Sequence, residues 1–208
     1  MVKYETTTYE VSKDFSDISI STDTADIIFA LSDDGTCKVE CYEEENAKHS
    51  VAVENDVLIV KTNKSWYDYI GYSFGWSKIT IYLPKEEYSE LSINESTGTV
   101  EIPKDCLFEN VNISTSTGDV NFCASVSKLV KIKTSTGNIC VENISAGALD
   151  LSVTTGKVTV SGVTCQDDIT VSVVTGNAYL TDSSCRSVIS SATTGNISLN
   201  NVIQEVHP

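Results

Sequence analysis

A Thr-Gly pair recurs through the second half of this 208-residue chain, with Gly at 98, 118, 137, 156, 176 and 195. The spacings are 20, 19, 19, 20 and 19 residues, and Thr precedes Gly all six times. A period of this length constrains the fold strongly, because each unit must stack on a copy of itself. Alignment on the Gly exposes apolar columns. Seven residues earlier stand Leu91, Val111, Val130, Leu149, Ile169 and Val188. Five earlier stand Ile93, Ile113, Ile132, Leu151, Val171 and Ser190. Two later stand Val100, Val120, Ile139, Val158, Ala178 and Ile197; four later stand Ile102, Phe122, Val141, Val160, Leu180 and Leu199. Polar residues separate the columns, giving the period-2 alternation of half-buried strands on both sides of a turn.

A unit with two or three short strands and no helical period reads as one rung of a solenoid. The expected fold is all-β, a single-stranded parallel β-helix with 19–20-residue rungs and an irregular β N-terminal region. Equivalent strands stack about 4.8 Å apart, so six rungs extend roughly 30 Å. Right-handed crossovers are the expectation. A hairpin meander competes, but it needs no fixed register. Gly98, Gly118, Gly137, Gly156, Gly176 and Gly195 are expected to make the sharp turn, where a residue at positive φ is best without a Cβ. The following column, Thr99, Asp119, Asn138, Lys157, Asn177 and Asn196, is rich in turn formers.

Residues 1–90 divide from 91–208 as an irregular N-terminal β region or cap leading into the regular array, in one continuous fold. "ISTDTADIIF" resembles "ISTSTGDVNF" with Ala25 in the Gly place, a degenerate first rung. "VAVENDVLIV" reads as a hairpin and "KITIYLP" as a strand. At the other end nothing covers the last rung. An open parallel edge invites pairing, so self-association through this uncapped rung, or further rungs beyond it, is expected.

The units "STSTGDV" at Ser114–Val120, "STGTVEI" at Ser96–Ile102 and "TSTGNICV" at Thr134–Val141, with "ITIYLP" at Ile79–Pro84, resemble those of a bacterial family of inferred adhesins, DUF4097. The resemblance covers nearly the whole chain, strongly from about Ile79. It implies a β-helical fold and a non-enzymatic adhesion or interaction role, and brings no catalytic motif. Members of that family often carry an N-terminal membrane segment or signal. This chain begins with neither, so it reads as cytoplasmic as written, or cell-surface and membrane-anchored if trimmed.

Charge excludes some partners. The net charge is −15, with a single Arg, Arg186. Nucleic acid binding requires a basic surface that displaces counterions, so nucleic acid is excluded as a partner. Glu43, Glu44 and Glu45 read as a solvated turn, and His49 and His207 as isolated. Asp167, Asp168 and Asp182 offer at most a weak calcium site. No cofactor, metal or catalytic residue is expected. A carbohydrate-active solenoid would need several carboxylates converging in one groove, and no outward column stacks acids. The seven cysteines read as free thiols in a reducing compartment. Cys37 and Cys41 share a strand face but lie about 13 Å apart at ~3.3 Å per residue. Thr115/Thr117 and Thr134/Thr136 form Thr-x-Thr pairs, but the pattern decays to Glu95 and Val153. The best candidate for contacting a protein or glycan is the aromatic run Trp66, Tyr67, Tyr69, Tyr72, Phe74 and Trp76. Aromatic clusters bury large areas on stiff side chains.

Overall fold

The computed structural model describes residues 3–45, 47–63 and 76–204, and every regular element among them is a β-strand. The Thr-Gly units are corners, not hairpins. β9 (Leu107–Thr117) and β10 (Val120–Phe122) flank Gly118 without pairing with each other. β9 runs parallel between β7 (Glu87–Thr97) and β11 (Ser125–Glu142). β10 runs parallel between β8 (Val100–Ile102) and the second half of β11. Register is kept from rung to rung: Val111 stacks between Leu91 and Val130, and Val120 between Val100 and Ile139. β12 (Ser145–Ser161), β14 (Ile169–Cys185), β15 (Val188–Thr194) and β16 (Ile197–Gln204) continue the two walls. A short third wall joins Phe108, Val126, Ala146 and Cys165, the last from β13 (Thr164–Cys165).

The apolar columns meet inside. Leu91, Val111, Val130, Leu149 and Ile169 are all buried, as are Val100, Val120, Ile139, Val158 and Ala178. The N-terminal half of the core is filled by aromatics. Phe15 stacks on Tyr88 at 5.5 Å, Tyr88 meets Phe108 at 6.1 Å, and Phe29 meets the same ring edge-on at 6.4 Å. Along the third wall the column narrows to Val126, Ala146 and Cys165.

Two corners shape each coil. At the first, the six repeat glycines hold φ between 135° and 154°. A Cβ on any of Gly118, Gly137, Gly156, Gly176 or Gly195 would fall on the carbonyl oxygen of the glycine one rung earlier, well inside van der Waals contact. The column is therefore fixed by close backbone stacking as well as by φ. The second corner was not anticipated. Asn143, Gly162, Asp182 and Asn201 stand in one column with φ of 54°, 64°, 48° and 52°. Asn, Asp and Gly are the residues that tolerate this left-handed conformation.

The N-terminal region contributes two further layers. β2 (Asp17–Leu31) lies beneath β7 and β8 in phase, Ile18 on Leu91 and Ile27 on Val100, with Ala25 at the corner. Beneath β2, β5 (Val57–Thr62) extends the first wall and β6 (Ser77–Leu83) the second. The described chain leaves the first wall at Thr62 and rejoins the second at Ser77, directly under the corner of Ala25. Antiparallel strands then close this end. β3 (Cys37–Glu44) pairs with β6, and β1 (Tyr4–Val11) with β3. β4 (His49–Glu54) forms a hairpin with β5 through Asn55 and Asp56, both at positive φ.

The opposite end is open among the described residues. β15 and β16 hydrogen-bond to β14 and carry no strand beyond. Leu199 is 49% exposed, although Leu180 beneath it is fully buried. Ile189 and Ile203 are more than half exposed. Val188–Gln204 contains no charged side chain.

Candidate functional site

The structure concentrates unusual chemistry at the glycine corner of the N-terminal layers. The column after the glycines is a hydrogen-bonded ladder. Asp119 Oδ1 accepts from the Asn138 backbone N–H at 2.8 Å and from its side-chain amide at 3.0 Å. Asn138 Oδ1 accepts from Lys157 N–H at 3.1 Å, and Asn177 Oδ1 from Asn196 N–H at 3.0 Å. Asp26 begins the ladder, its Oδ1 accepting from Thr99 N–H at 2.8 Å. Its second oxygen accepts from the indole N–H of Trp76 at 3.0 Å. Trp76 is 60% exposed, so its ring is held at the N–H edge while much of it meets solvent. Of the aromatic run, Trp66, Tyr67, Tyr69, Tyr72 and Phe74 lie outside the described residues.

Behind this corner the interior is polar. Thr22, Glu95, Thr115 and Thr134 form one inward column and are all buried. Thr134 Oγ1 donates toward the carbonyls of Gly118 and Thr136, and Thr115 Oγ1 toward that of Thr117. The first Thr of each Thr-x-Thr pair thus satisfies corner backbone, while Thr117 and Thr136 are exposed. Farther along, Val153, Val173 and Ala192 make the same column apolar. Glu95 Oε1 accepts from Ala25 N–H at 2.9 Å, and Oε2 is buried without a partner among the described residues. Burial first, and Asp26 nearby, raise this carboxyl to a pKa of about 8. Sequence reading saw Glu95 only as a break in a Thr pattern.

The acidic triplet and the histidine differ from expectation. Glu43 is fully buried, Glu44 is 7% exposed, and only Glu45 faces solvent. Inward alternation along β3 carries Cys41 and Glu43 to the same side. His49, expected to be isolated, is buried, and its Nδ1 lies 2.6 Å from Glu43 Oε2. The same oxygen accepts from His49 backbone N–H at 2.7 Å. The turn between β3 and β4 folds these residues together, a juxtaposition that no period in the sequence signals.

The expected aspartate cluster also dissolves. Arg186 binds Asp168 through Nε and a terminal nitrogen at 3.0 and 2.9 Å, and Asp167 at 3.0 Å. Asp182 sits at the second corner and accepts from Asn201 at 2.6 Å. The acids are thus committed to a cation and an amide in different places. All seven cysteines are unpaired, and burial pushes Cys37 and Cys41 up to about 12. No described helix is long and apolar enough to cross a membrane.

A parallel β-solenoid with in-phase glycine corners and an antiparallel N-terminal cap is the class this architecture defines. The chain belongs to the Toastrack DUF4097 family, which matches residues 15–201. The fold is similar to a crystal structure described as a "putative adhesin" from Bacteroides fragilis, with a TM-score of 0.63 and 23% identity over 95% of this chain and 97% of that one. Another, described in the same words, is from Parabacteroides distasonis, with a TM-score of 0.44 and 15% identity over 98% and 97% of the two chains. A structure described as a "putative cell adhesion protein" from Clostridium sporogenes has a TM-score of 0.42 and 10% identity over 96% and 99%. No curated protein matches the chain.

Proposed function

We propose that this protein is a non-enzymatic interaction scaffold of the adhesin type, and that it contacts a protein or glycan partner through the aromatic corner. The observation that carries this reading is Trp76. Its indole N–H is tied to Asp26 at the foot of the Asn/Asp ladder, and 60% of the residue remains exposed. A tryptophan oriented in advance loses little entropy on binding and presents a large face to a sugar ring or an apolar side chain. It also ends the aromatic run Trp66–Trp76, whose neighbouring strands are fixed by the solenoid. The rungs then serve to hold this corner rigid.

The test is binding of the full chain to glycan arrays and bacterial or host cell surfaces, with Trp76→Ala and Trp66→Ala as variants. Loss of binding at least tenfold with an unchanged circular dichroism spectrum is expected. Undiminished binding by folded variants removes the aromatic corner as the contact. Release of new reducing ends from a polysaccharide panel would replace this reading with the carbohydrate-active one.

A further inference from the structure

We propose that Cys41, Glu43 and His49 form a binding site for one divalent transition-metal ion of the zinc class. The Cys41 sulphur, a Glu43 oxygen and a His49 ring nitrogen all lie within 4.8 Å of one another. All three residues are buried, with exposures of 0%, 0% and 4%. Two come from alternate positions of β3 and the third opens β4, so the cap itself brings them together.

A structural Glu–His ion pair is the competing account. It leaves two observations unexplained. Glu43 Oε1 is fully buried and has no hydrogen-bond partner among the described residues, although a carboxylate oxygen taken out of water is costly unless paired. The buried Cys41 sulphur also faces this pair, with no disulfide partner of its own. A metal ion answers both. With a thiolate, a carboxylate and a neutral imidazole, a divalent cation gives a site of zero net charge, the arrangement a dry interior favours. The Cys41 proton leaves to solvent as the metal–sulphur bond forms. Sulphur, nitrogen and oxygen donors together suit zinc and its neighbours, whereas calcium and magnesium take oxygen ligands. Bond lengths of about 2.0–2.3 Å place tetrahedral donors roughly 3.5 Å apart. The Glu43–His49 separation of 2.6 Å opens slightly and the sulphur moves inward. Three protein donors leave the fourth position to water.

The experiment is titration of the reduced, full-length chain with cobalt(II) alone, followed by absorption, then displacement by zinc. One ion per chain is expected, with a thiolate-to-cobalt charge-transfer band and intense tetrahedral d–d absorption. Cys41→Ser abolishes the charge-transfer band, and Glu43→Gln weakens binding about tenfold or more. Cys165→Ala, which alters the buried thiol beside Cys185, leaves both signals intact. Survival of the band in folded Cys41→Ser, or no saturable one-to-one binding by the wild type, overturns the site. If Cys41→Ser does not fold, zinc X-ray absorption of the wild-type chain decides. One sulphur among nitrogen and oxygen neighbours is the expected shell; none, or two or more, overturns it.

Discussion

At the scale of single residues, the glycine column and Glu95 make opposite kinds of demand. Gly137 must be glycine because a Cβ would strike the carbonyl of Gly118, and its φ is 141°. Gly35 also has positive φ, 74°, but nothing lies within 4 Å of its missing Cβ. Gly35→Ala should cost about 1 kcal/mol, from φ alone. Gly137→Ala should cost well beyond that, because two stacked coils must separate. Urea denaturation of the two variants measures the difference. Glu95 is a question of protons. Its folded pKa of about 8 stands above its unfolded value, so between the two the folded state holds a proton that the unfolded state has lost. Stability is therefore greatest below the unfolded pKa, falls by about 1.4 kcal/mol per pH unit across that window, and levels off above about pH 8. Glu95→Gln keeps an acceptor for Ala25 N–H and removes this slope. Melting temperatures from pH 5 to pH 9 should decline for the wild type and decline less for the variant.

At the scale of elements, each rung is bound to the next by both backbone and ladder side chains. Asn138 links two rungs, donating to Asp119 and accepting from Lys157. Asn138→Ala should cost about 1–2 kcal/mol for the two lost bonds. Asn138→Asp keeps the acceptor but sets a second negative charge beside Asp119, so its deficit should shrink as salt is added. Melting curves at low and high ionic strength separate these outcomes. The first corner was legible in the sequence because from Gly98 onward only glycine satisfies it, Ala25 alone taking its place in the β2 layer, and identity repeats wherever geometry allows one residue. The second corner was not, because Asn143, Gly162, Asp182 and Asn201 solve one φ with three residue types. β5 and β6 were seen as a hairpin arm and a strand rather than as a coil, because the sequence between them lacks the Thr-Gly unit and its 19–20-residue spacing. Glu43 and His49 were hidden more deeply. Their meeting depends on how an antiparallel cap turns back, which neither alternation nor spacing records.

At the scale of the whole molecule, the two ends differ. The N-terminal end is closed by antiparallel pairing of β1, β3 and β4. At the other end of the described chain, an uncharged rung exposes Leu199 and Ile203 in a protein of net charge −15. Edge strands that stay solitary usually carry charge against pairing. Where no further rung follows, we propose that the occupant of this edge is a second copy, since two uncharged rungs meet without the repulsion felt elsewhere on the surface. Analytical ultracentrifugation should show a concentration-dependent dimer, and Leu199→Lys with Ile203→Lys should return it to monomer. A monomeric wild type at high micromolar concentration would refute the pairing. The in-phase stack also bears on how the chain is made. Each regular coil docks on the one about 20 residues before it, while β2 waits for partners as distant as the 73 residues separating Asp26 from Thr99. A ribosome thus releases the parts in the order of their assembly: a cap and template first, then one finished coil for each further stretch. Nascent chains arrested at successive coil boundaries should resist protease up to the last completed coil.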